Sequence, residues 1–238
     1  MADLFSGERR GALRPSIVAE YDYIDRDGVL VAQKLRYSNK TFRWRRPGRQ
    51  AGAWSWRLDG ATPGLYRLPE LIDSQQVFLN EGEKSVDLLW SLGLPATCPP
   101  SGASSWLPSW SRDLWEVGCG ELVILADNDS PGSHFAERVA EITSQAHSGG
   151  GEPIAVKILR LPGLEKGADA FDWLQGGHTP QDLLDAAADA PVWLPGASER
   201  ERVERTRASA RVRQQRLRAR RRMEVIGHAV NEGRRRVA

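Results

Sequence analysis

Two stretches decide the fold: VFLNEGEK, residues 77–84, and LVILADNDSPG, residues 122–132. In each of them an apolar run ends in carboxylates, and a helical pattern follows. A short apolar run bounded by turn residues is typical of a buried strand. Strands that alternate with helices predict a parallel sheet, and such sheets place their ligands at the carboxyl ends of the strands. Glu81, Asp127 and Asp129 are therefore predicted to face one crevice.

The region from about residue 75 continues this alternation. Apolar runs predict four strands, and the periodic segments between and after them predict four helices. The strands are predicted at Gln76–Leu79, Leu94–Cys98, Leu122–Ala126 and Ile154–Leu161, and the helices at Lys84–Leu92, Leu107–Val117, Gly132–Ala146 and Thr179–Ala188. The predicted fold class is α/β, with a parallel sheet covered by helices on both faces.

Three acidic clusters follow strands of this unit, and together they predict a metal site. The third cluster holds Asp169 and Asp172, just past the fourth predicted strand. Carboxylates that are brought together repel one another unless a cation neutralises them, and oxygen-rich sites suit Mg²⁺ or Mn²⁺. Each cluster also has a plainer interpretation: Glu81 as a turn residue, and Asp129 and Asp169 as helix caps. Three clusters in one α/β unit favour a magnesium-dependent phosphoryl-transfer site over three unrelated turns.

The charge of the chain is distributed in three blocks. The whole chain carries +2, but residues 61–197 carry −12, whereas residues 1–60 carry +5 and residues 198–238 carry +9. An acidic centre between basic flanks is typical of a metal-binding core with phosphate-binding surfaces. Only Cys98 and Cys119 are present, which argues against a zinc site. With no secretory signal pattern and no apolar run long enough for a membrane span, we expect a cytoplasmic protein.

A small antiparallel β meander is predicted at residues 20–60. Asp27-Gly28 separates two alternating apolar runs, which is a strong hairpin signal. Arginines and aromatic residues are interleaved there, as on surfaces where bases stack and phosphates pair. The candidate nucleic-acid contacts are Arg43, Arg45, Arg46 and Arg49, with Trp54 and Trp56 nearby. The alternative is ordinary packing, with Trp44 and Trp56 in the core.

The two ends of the chain have a different character. Residues 1–19 are predicted as a flexible leader, and residues 195–238 as a linker and an Arg-rich helix or tail. The density of arginines in the tail favours nucleic-acid contact over a role in solubility alone. The candidate contacts in the tail are Arg211, Arg213, Arg216, Arg218, Arg220, Arg221 and Arg222.

In combination these motifs resemble the Toprim domain, which primases, topoisomerases and some nucleases share. An apolar strand, Glu-Gly and a helix are matched by Val77–Lys84, and an apolar strand, Asp-x-Asp, a turn and Gly by Leu122–Gly132. The third acidic position of primase-type members is matched by Asp169 with Asp172. Segments around Leu65–Glu70 and Leu92–Ala103 are similar to the phage and plasmid primase-helicase branch. The resemblance implies a primase-like β-rich subdomain at residues 20–74 and a Toprim domain at residues 75–194.

The resemblance also implies an activity and the roles of the acids. Glu81 would be an acid/base residue or a metal ligand, Asp127 and Asp129 would hold Mg²⁺ or Mn²⁺, and Asp169 with Asp172 would complete a second metal position. The implied enzyme is a primase-type nucleotidyltransferase that makes short RNA primers on single-stranded DNA in the replication of a phage, plasmid or mobile element. Its implied partners are single-stranded DNA, nucleoside triphosphates and a replicative helicase, with no zinc and no membrane.

The chain departs from the family pattern at two places. Ser85 stands where many members carry an acid, and Ser133-His134 stand where a basic residue often begins the helix. A Toprim nuclease, which uses the same acids to cut a phosphodiester with water, stays open as an alternative whatever these departures mean. So does a non-catalytic DNA-binding accessory protein. The chain contains no G-x-x-x-x-G-K-[ST] motif, so it is not expected to act as a helicase by itself.

Overall fold

The computed structural model describes residues 14–146 and 152–197, together with Glu201, Glu204, Arg207, Arg211 and Gln214. The chain divides into two compact units, one ending at Pro69 and one beginning at Glu70. Among the helices in these described ranges, none is long and apolar enough to cross a membrane.

The first unit contains the predicted antiparallel meander. Its strands are β1 (Ile17–Ile24), β2 (Leu30–Tyr37), β3 (Phe42–Pro47) and β4 (Trp54–Ser55), paired in that order. The hairpin between β1 and β2 forms where the Asp-Gly signal predicts it. Asp25 Oδ1 accepts hydrogen bonds from the Asp27 and Val29 N–H groups at 3.0 and 2.9 Å, and Gly28 has φ 80°. A positive φ of this kind is easily adopted only by glycine.

Two boundaries of the meander differ from the prediction. β1 begins at Ile17, inside the predicted leader, because Ile17 pairs with Tyr37 and the Ser38 N–H donates to the Ser16 carbonyl at 2.8 Å. Ile17 and Val18 are both exposed, so the alternation that reveals a half-buried strand is missing there. β4 ends at Ser55 rather than Leu58, because the chain turns at Leu58, whose carbonyl accepts from the Ala61 N–H at 2.9 Å.

The second unit contains a parallel sheet of four strands. They are β5 (Gln76–Leu79), β6 (Ala96–Thr97), β7 (Glu121–Leu125) and β8 (Ala155–Leu159), in the order β6-β5-β7-β8. Val77, Phe78 and Leu79 are fully buried, and no residue of the consecutive run Leu122–Leu125 is more than 2% exposed. Because successive side chains of a strand point to opposite faces, consecutive burial means that both faces are covered. The α/β prediction is confirmed.

Within the described range up to residue 197, five helices connect and follow the strands. They are α1 (Glu83–Ser91), α2 (Pro108–Glu116), α3 (Ser130–Gln145), α4 (Ala170–Gln175) and α5 (Pro180–Asp189), with 3₁₀ turns at Leu68–Leu71 and Gly102–Ser104. The four predicted long helices agree with α1, α2, α3 and α5 at both ends to within two residues. Proline in the first turn of α2, α3 and α5 suits a position whose N–H has no partner inside the helix.

The strand order places a crevice between β5 and β7. From β5 the chain crosses to β6 on one side and then returns to β7 on the other, so the strand order reverses between these two neighbours. Ligands of open α/β sheets bind outside the carboxyl ends of the strands at such a reversal. Glu81 lies two residues beyond the end of β5, and Asp127 lies two residues beyond the end of β7.

Candidate functional site

Asp127 is the electrostatic centre of the acidic crevice. Burial raises the pKa of its carboxyl from 3.8 to about 7, helped by the negative charges of Glu81, Asp169, Asp129 and Asp172. The other four acids of the predicted site therefore all act on Asp127, although they come from three separate segments. Their mutual repulsion is the condition that a bound cation would relieve.

Glu81 reaches the same place from the end of β5. Its pKa is raised by burial and by the charge of Asp129, while a hydrogen bond from the Asp127 backbone N–H lowers it in part. Its Oε1 is buried and has no hydrogen-bond partner among the described residues. A buried acceptor without a partner is costly, so it marks a place where a proton or a cation is missing.

Gly132 makes room for this carboxylate at the start of α3. A Cβ added at Gly132 would lie 2.7 Å from Glu81 Oε1 and 2.8 Å from the Asp127 carbonyl oxygen. These are closer than real Cβ atoms come to their neighbours, so any side chain at this position would displace the acids. The glycine of the 122–132 stretch is thus required by the close approach of Glu81.

Asp129 and Asp169 also cap helices, as the plainer interpretation of the sequence expected, and Asp172 takes part in the second of these caps. Asp129 Oδ1 accepts from the Gly132 N–H at 2.7 Å and begins α3. Asp169 and Asp172 form a reciprocal capping box on α4, in which Asp169 Oδ1 accepts from the Asp172 N–H at 3.0 Å. A carboxylate has two oxygens and about four acceptor positions, so capping leaves each group able to bind a cation.

The loop between β8 and α4 is tied to the middle residue of the Asp-x-Asp motif. The Asn128 N–H donates to the Ala168 carbonyl at 3.1 Å, and its carbonyl accepts from the Gly167 N–H at 3.0 Å. The Asn128 side chain donates to the Leu164 carbonyl at 2.7 Å. On the other side, Ser85 Oγ lies 3.4 Å from Asp169 Oδ2. These contacts explain why Asp169, ten residues beyond β8, lies near Asp127.

The donor set of the crevice fits a hard divalent cation. Within the described ranges, no three histidine, cysteine, aspartate or glutamate side chains converge into a ready-made metal cage. Mg²⁺ does not need one, because it keeps several waters and is held by one or two carboxylates together with substrate phosphates. Glu81 and Asp127 provide two carboxylates of this kind, since Glu81 Oε1 has no hydrogen-bond partner among the described residues and the pKa of Asp127 is raised. The metal roles of Glu81, Asp127, Asp129, Asp169 and Asp172 stay a prediction.

Two cationic side chains near the crevice were missed by the sequence analysis. Leu125 pairs with Leu159 across β7 and β8, so Arg160 follows β8 beside the start of the Asp-x-Asp motif, and its Nη1 lies 3.5 Å from Ser133 Oγ. Ser133 Oγ in turn donates to the Asp129 carbonyl at 2.9 Å. Lys84 Nζ lies 3.3 Å from the centre of the Phe171 ring. The sequence did contain a signal for Arg160, because this residue lies at the end of the strand predicted at Ile154–Leu161, where ligands of a parallel sheet bind.

The four arginines of the meander that were predicted to contact nucleic acid divide into two pairs. Arg45 donates to Gln33 at 2.6 Å and to Glu20 at 3.1 Å, and Arg46 forms an ion pair with Asp59 at 2.9 Å. These two predicted contacts are thus engaged within the unit. Arg43 and Arg49 are exposed. They are therefore the better candidates for contact with phosphates.

Aromatic side chains accompany these arginines at the surface. The Arg45 guanidinium lies 4.1 Å from the centre of the Trp54 ring. Trp54 and Trp56 are 37% and 54% exposed, so the alternative that placed Trp56 in the core is wrong. Trp44 is half-buried and lies 5.0 Å from the Tyr23 ring. Exposed rings beside arginines are what base stacking requires.

Of the predicted contacts in the C-terminal tail, only Arg211 is among the described residues. It is exposed and in helical conformation. The remaining predicted contacts lie outside the described residues: Arg213, Arg216, Arg218, Arg220, Arg221 and Arg222.

Comparison with known proteins identifies the fold. No protein-family model and no curated protein matches the chain. Among solved structures, it is similar to the primase fragment of the bacteriophage T7 primase-helicase protein, with 20% identity and a TM-score of 0.50 over 70% of this chain and 61% of that one. It is also similar to the DnaG catalytic core, with 18% identity and a TM-score of 0.54 over 72% of this chain and 52% of that one. A DNA primase domain from Pseudomonas aeruginosa gives 19% identity and a TM-score of 0.50 over 71% and 49%.

The match is one of architecture rather than of sequence. The chain spans between about half and three-fifths of the lengths of these three structures. The fold that the resemblance implied is confirmed at this level, since the chain has a fold similar to that of primase domains.

Proposed function

We propose that this protein is a magnesium-dependent primase-type nucleotidyltransferase, which joins ribonucleotides into short primers on single-stranded DNA in the replication of a phage, plasmid or mobile element. One observation carries the proposal. Acids from three segments couple electrostatically around Asp127, at the reversal of strand order in a sheet of the primase type. Fold alone does not define an activity, so the argument rests on this site.

Each acid has a role in this proposal. Glu81, Asp127 and Asp129 would hold one cation, and Asp169 with Asp172 would contribute to a second position. Bound Mg²⁺ would neutralise charge that develops on the transferred phosphate. In its alternative role as the acid/base residue, Glu81 would accept the proton of an attacking hydroxyl at its buried Oε1, since burial raises its pKa above the ordinary value.

In the proposed reaction a primer 3′-hydroxyl forms a bond to the α-phosphorus of the incoming triphosphate. The bond from that phosphorus to the β-phosphate bridging oxygen breaks, pyrophosphate leaves, and the hydroxyl proton passes to Glu81 or to water. Arg160 would pair with the phosphates, at the position where Ser133-His134 provide no cation of their own. The exposed Arg43 and Arg49 would contact the template strand, and a replicative helicase would be a further partner in the cytoplasm.

One incubation separates this proposal from its rivals. The full chain is mixed with single-stranded DNA, Mg²⁺ or Mn²⁺ and labelled ribonucleoside triphosphates. Labelled short oligoribonucleotides are the expected result. Shortening of the DNA without added triphosphates would favour a nuclease, and salt-sensitive DNA binding with neither product would leave an accessory protein. Both of these results would overturn the primase proposal.

A matched pair of variants connects the activity to the crevice. Glu81→Gln keeps the size of the side chain but removes its charge and basicity, so we expect primer synthesis to fall by at least about a hundredfold. Glu141→Gln makes the same chemical change on the exposed surface of α3 and should have no effect. Equal activity of the two variants would refute the role of Glu81.

A further inference from the structure

A cavity of about 410 Å³ lies beside the acidic crevice and has no assigned ligand. Its lining comes from the loop before α4 and from α4 itself with the turn that follows, and it includes Glu165, Asp172, Trp173, Gly176 and His178. The volume is in the range of cavities that bind small organic ligands. Asp172 lines the cavity and is also one of the five acids of the crevice, so the cavity adjoins the predicted phosphoryl-transfer site.

A stacked pair of aromatic rings lines part of the cavity. The rings of Trp173 and His178 are 3.8 Å apart and 3° from parallel. Trp173 is 5% exposed and its Nε1 donates to the Pro162 carbonyl at 3.0 Å, so the inner ring is held in place, whereas His178 is exposed. Parallel stacking of this kind is how proteins hold flat heterocycles.

The end of α4 explains how His178 reaches Trp173. The Gly176 N–H donates to the Asp172 carbonyl at 2.9 Å, and the Gly177 N–H donates to the Leu174 carbonyl at 3.2 Å. Gly177 has φ 102°, which residues with a side chain rarely adopt. The chain therefore turns sharply after the helix and places the imidazole against the indole.

The rim of the cavity offers hydrogen-bond acceptors. Glu165 and Asp172 contribute carboxylates, and no lysine or arginine is found among the described residues of the lining. Such a rim accepts from N–H groups and repels phosphate. Adenine, cytosine and guanine carry exocyclic amino groups that can donate to a carboxylate, whereas the ring N3–H of uracil lies between two carbonyl oxygens that a carboxylate repels.

From these features we infer that the cavity is a base-binding subsite, in which an amino-bearing nucleobase lies against the Trp173–His178 pair and donates to Glu165. The inference deepens the proposed function, because it assigns a place to the base of a nucleotide whose phosphates lie at the acidic crevice. It favours adenine, cytosine and guanine over uracil at this position.

Nucleosides without phosphate test the cavity separately from the reaction. The full chain is titrated with adenosine, cytidine and uridine, and the indole N–H resonance of Trp173 is followed by NMR. Adenosine and cytidine should shift this resonance with dissociation constants about tenfold lower than that of uridine, the ratio that one hydrogen bond to a charged group can give. His178→Ala should abolish the shift, and Glu165→Ala should remove the preference.

Gln175→Ala, an exposed change on α4 outside the cavity lining, serves as the control and should leave both intact. No shift with any nucleoside, or equal affinities for uridine and adenosine, would overturn the inference. Primer synthesis without nucleoside binding would remove the subsite and leave the proposed function. Adenosine binding without primer synthesis would leave the subsite and refute the proposed function.

Discussion

Neutralising Asp127 should stabilise the protein in the absence of metal. The pKa of this carboxyl is about 7 in the folded chain against an ordinary value of 3.8. A group whose pKa is raised by folding favours the folded state below its ordinary pKa, and it reduces stability as the pH rises through the folded value. Asp127→Asn removes this penalty while keeping the shape of the side chain.

The size of the effect follows from the pKa difference. A rise from 3.8 to about 7 corresponds to about 4 kcal/mol above pH 7. Because Asp127 is only half-buried, solvent screens the repulsion, and we expect about 2 kcal/mol. For a chain of this length that gain raises Tm by about 4–8 °C.

Thermal unfolding in the presence of a chelator measures this prediction. The Tm difference between Asp127→Asn and the unaltered protein should be small at pH 4, grow up to about pH 7 and then remain constant. Glu141→Gln removes one exposed charge from α3 and should show no such profile. A Tm of Asp127→Asn that is equal or lower at pH 8 would refute the electrostatic reasoning. Added Mg²⁺ should raise the Tm of the unaltered protein but not of Asp127→Asn.

Three further predictions concern the residues around the crevice and the meander. Arg160→Ala should raise KM for the triphosphate about tenfold, and Arg138→Ala, an exposed change on α3, should not; equal KM values would remove Arg160 from the site. Gly132→Ala should lower kcat for primer synthesis about a hundredfold and also lower Tm, because its Cβ meets both Glu81 and the Asp127 carbonyl oxygen, and unchanged kcat would contradict the close approach. Replacing Arg43 and Arg49 together by alanine should reduce the slope of log K for single-stranded DNA against log salt by about 1.4, whereas an unchanged slope would exclude this surface.

The strands and helices of the second unit were predictable because their signals are local. A run such as Leu122–Leu125 has to be buried on both faces, and that requirement is visible without any partner. β1 was less visible, since Ile17 and Val18 are exposed and only their pairing with the next strand makes them part of the sheet. The acidic residues were predictable for the same reason as the strands that they follow.

From the sequence, helix capping and metal binding were alternative roles for the acids, and their combination was not predicted. Asp129 and Asp169 each had to be either a helix cap or a metal ligand in the sequence, whereas the structure shows that each caps a helix with one oxygen. The position of Arg160 depends on the register of β8 against β7, and the Trp173–His178 pair depends on the turn after α4. Neither leaves a periodic pattern in the sequence.

The most direct test is whether Asp129 binds a metal ion or only caps α3. Asparagine caps a helix as well as aspartate does, so Asp129→Asn keeps α3 and removes one negative charge from the crevice. Mn²⁺ binding is measured by the loss of the free-ion EPR signal for the unaltered protein, Asp129→Asn and Glu141→Gln. We predict that Asp129→Asn weakens Mn²⁺ binding by at least about tenfold, as loss of a supporting group at a metal site does, while Glu141→Gln has no effect. Equal Mn²⁺ affinity in all three proteins would contradict a metal site in the acidic crevice.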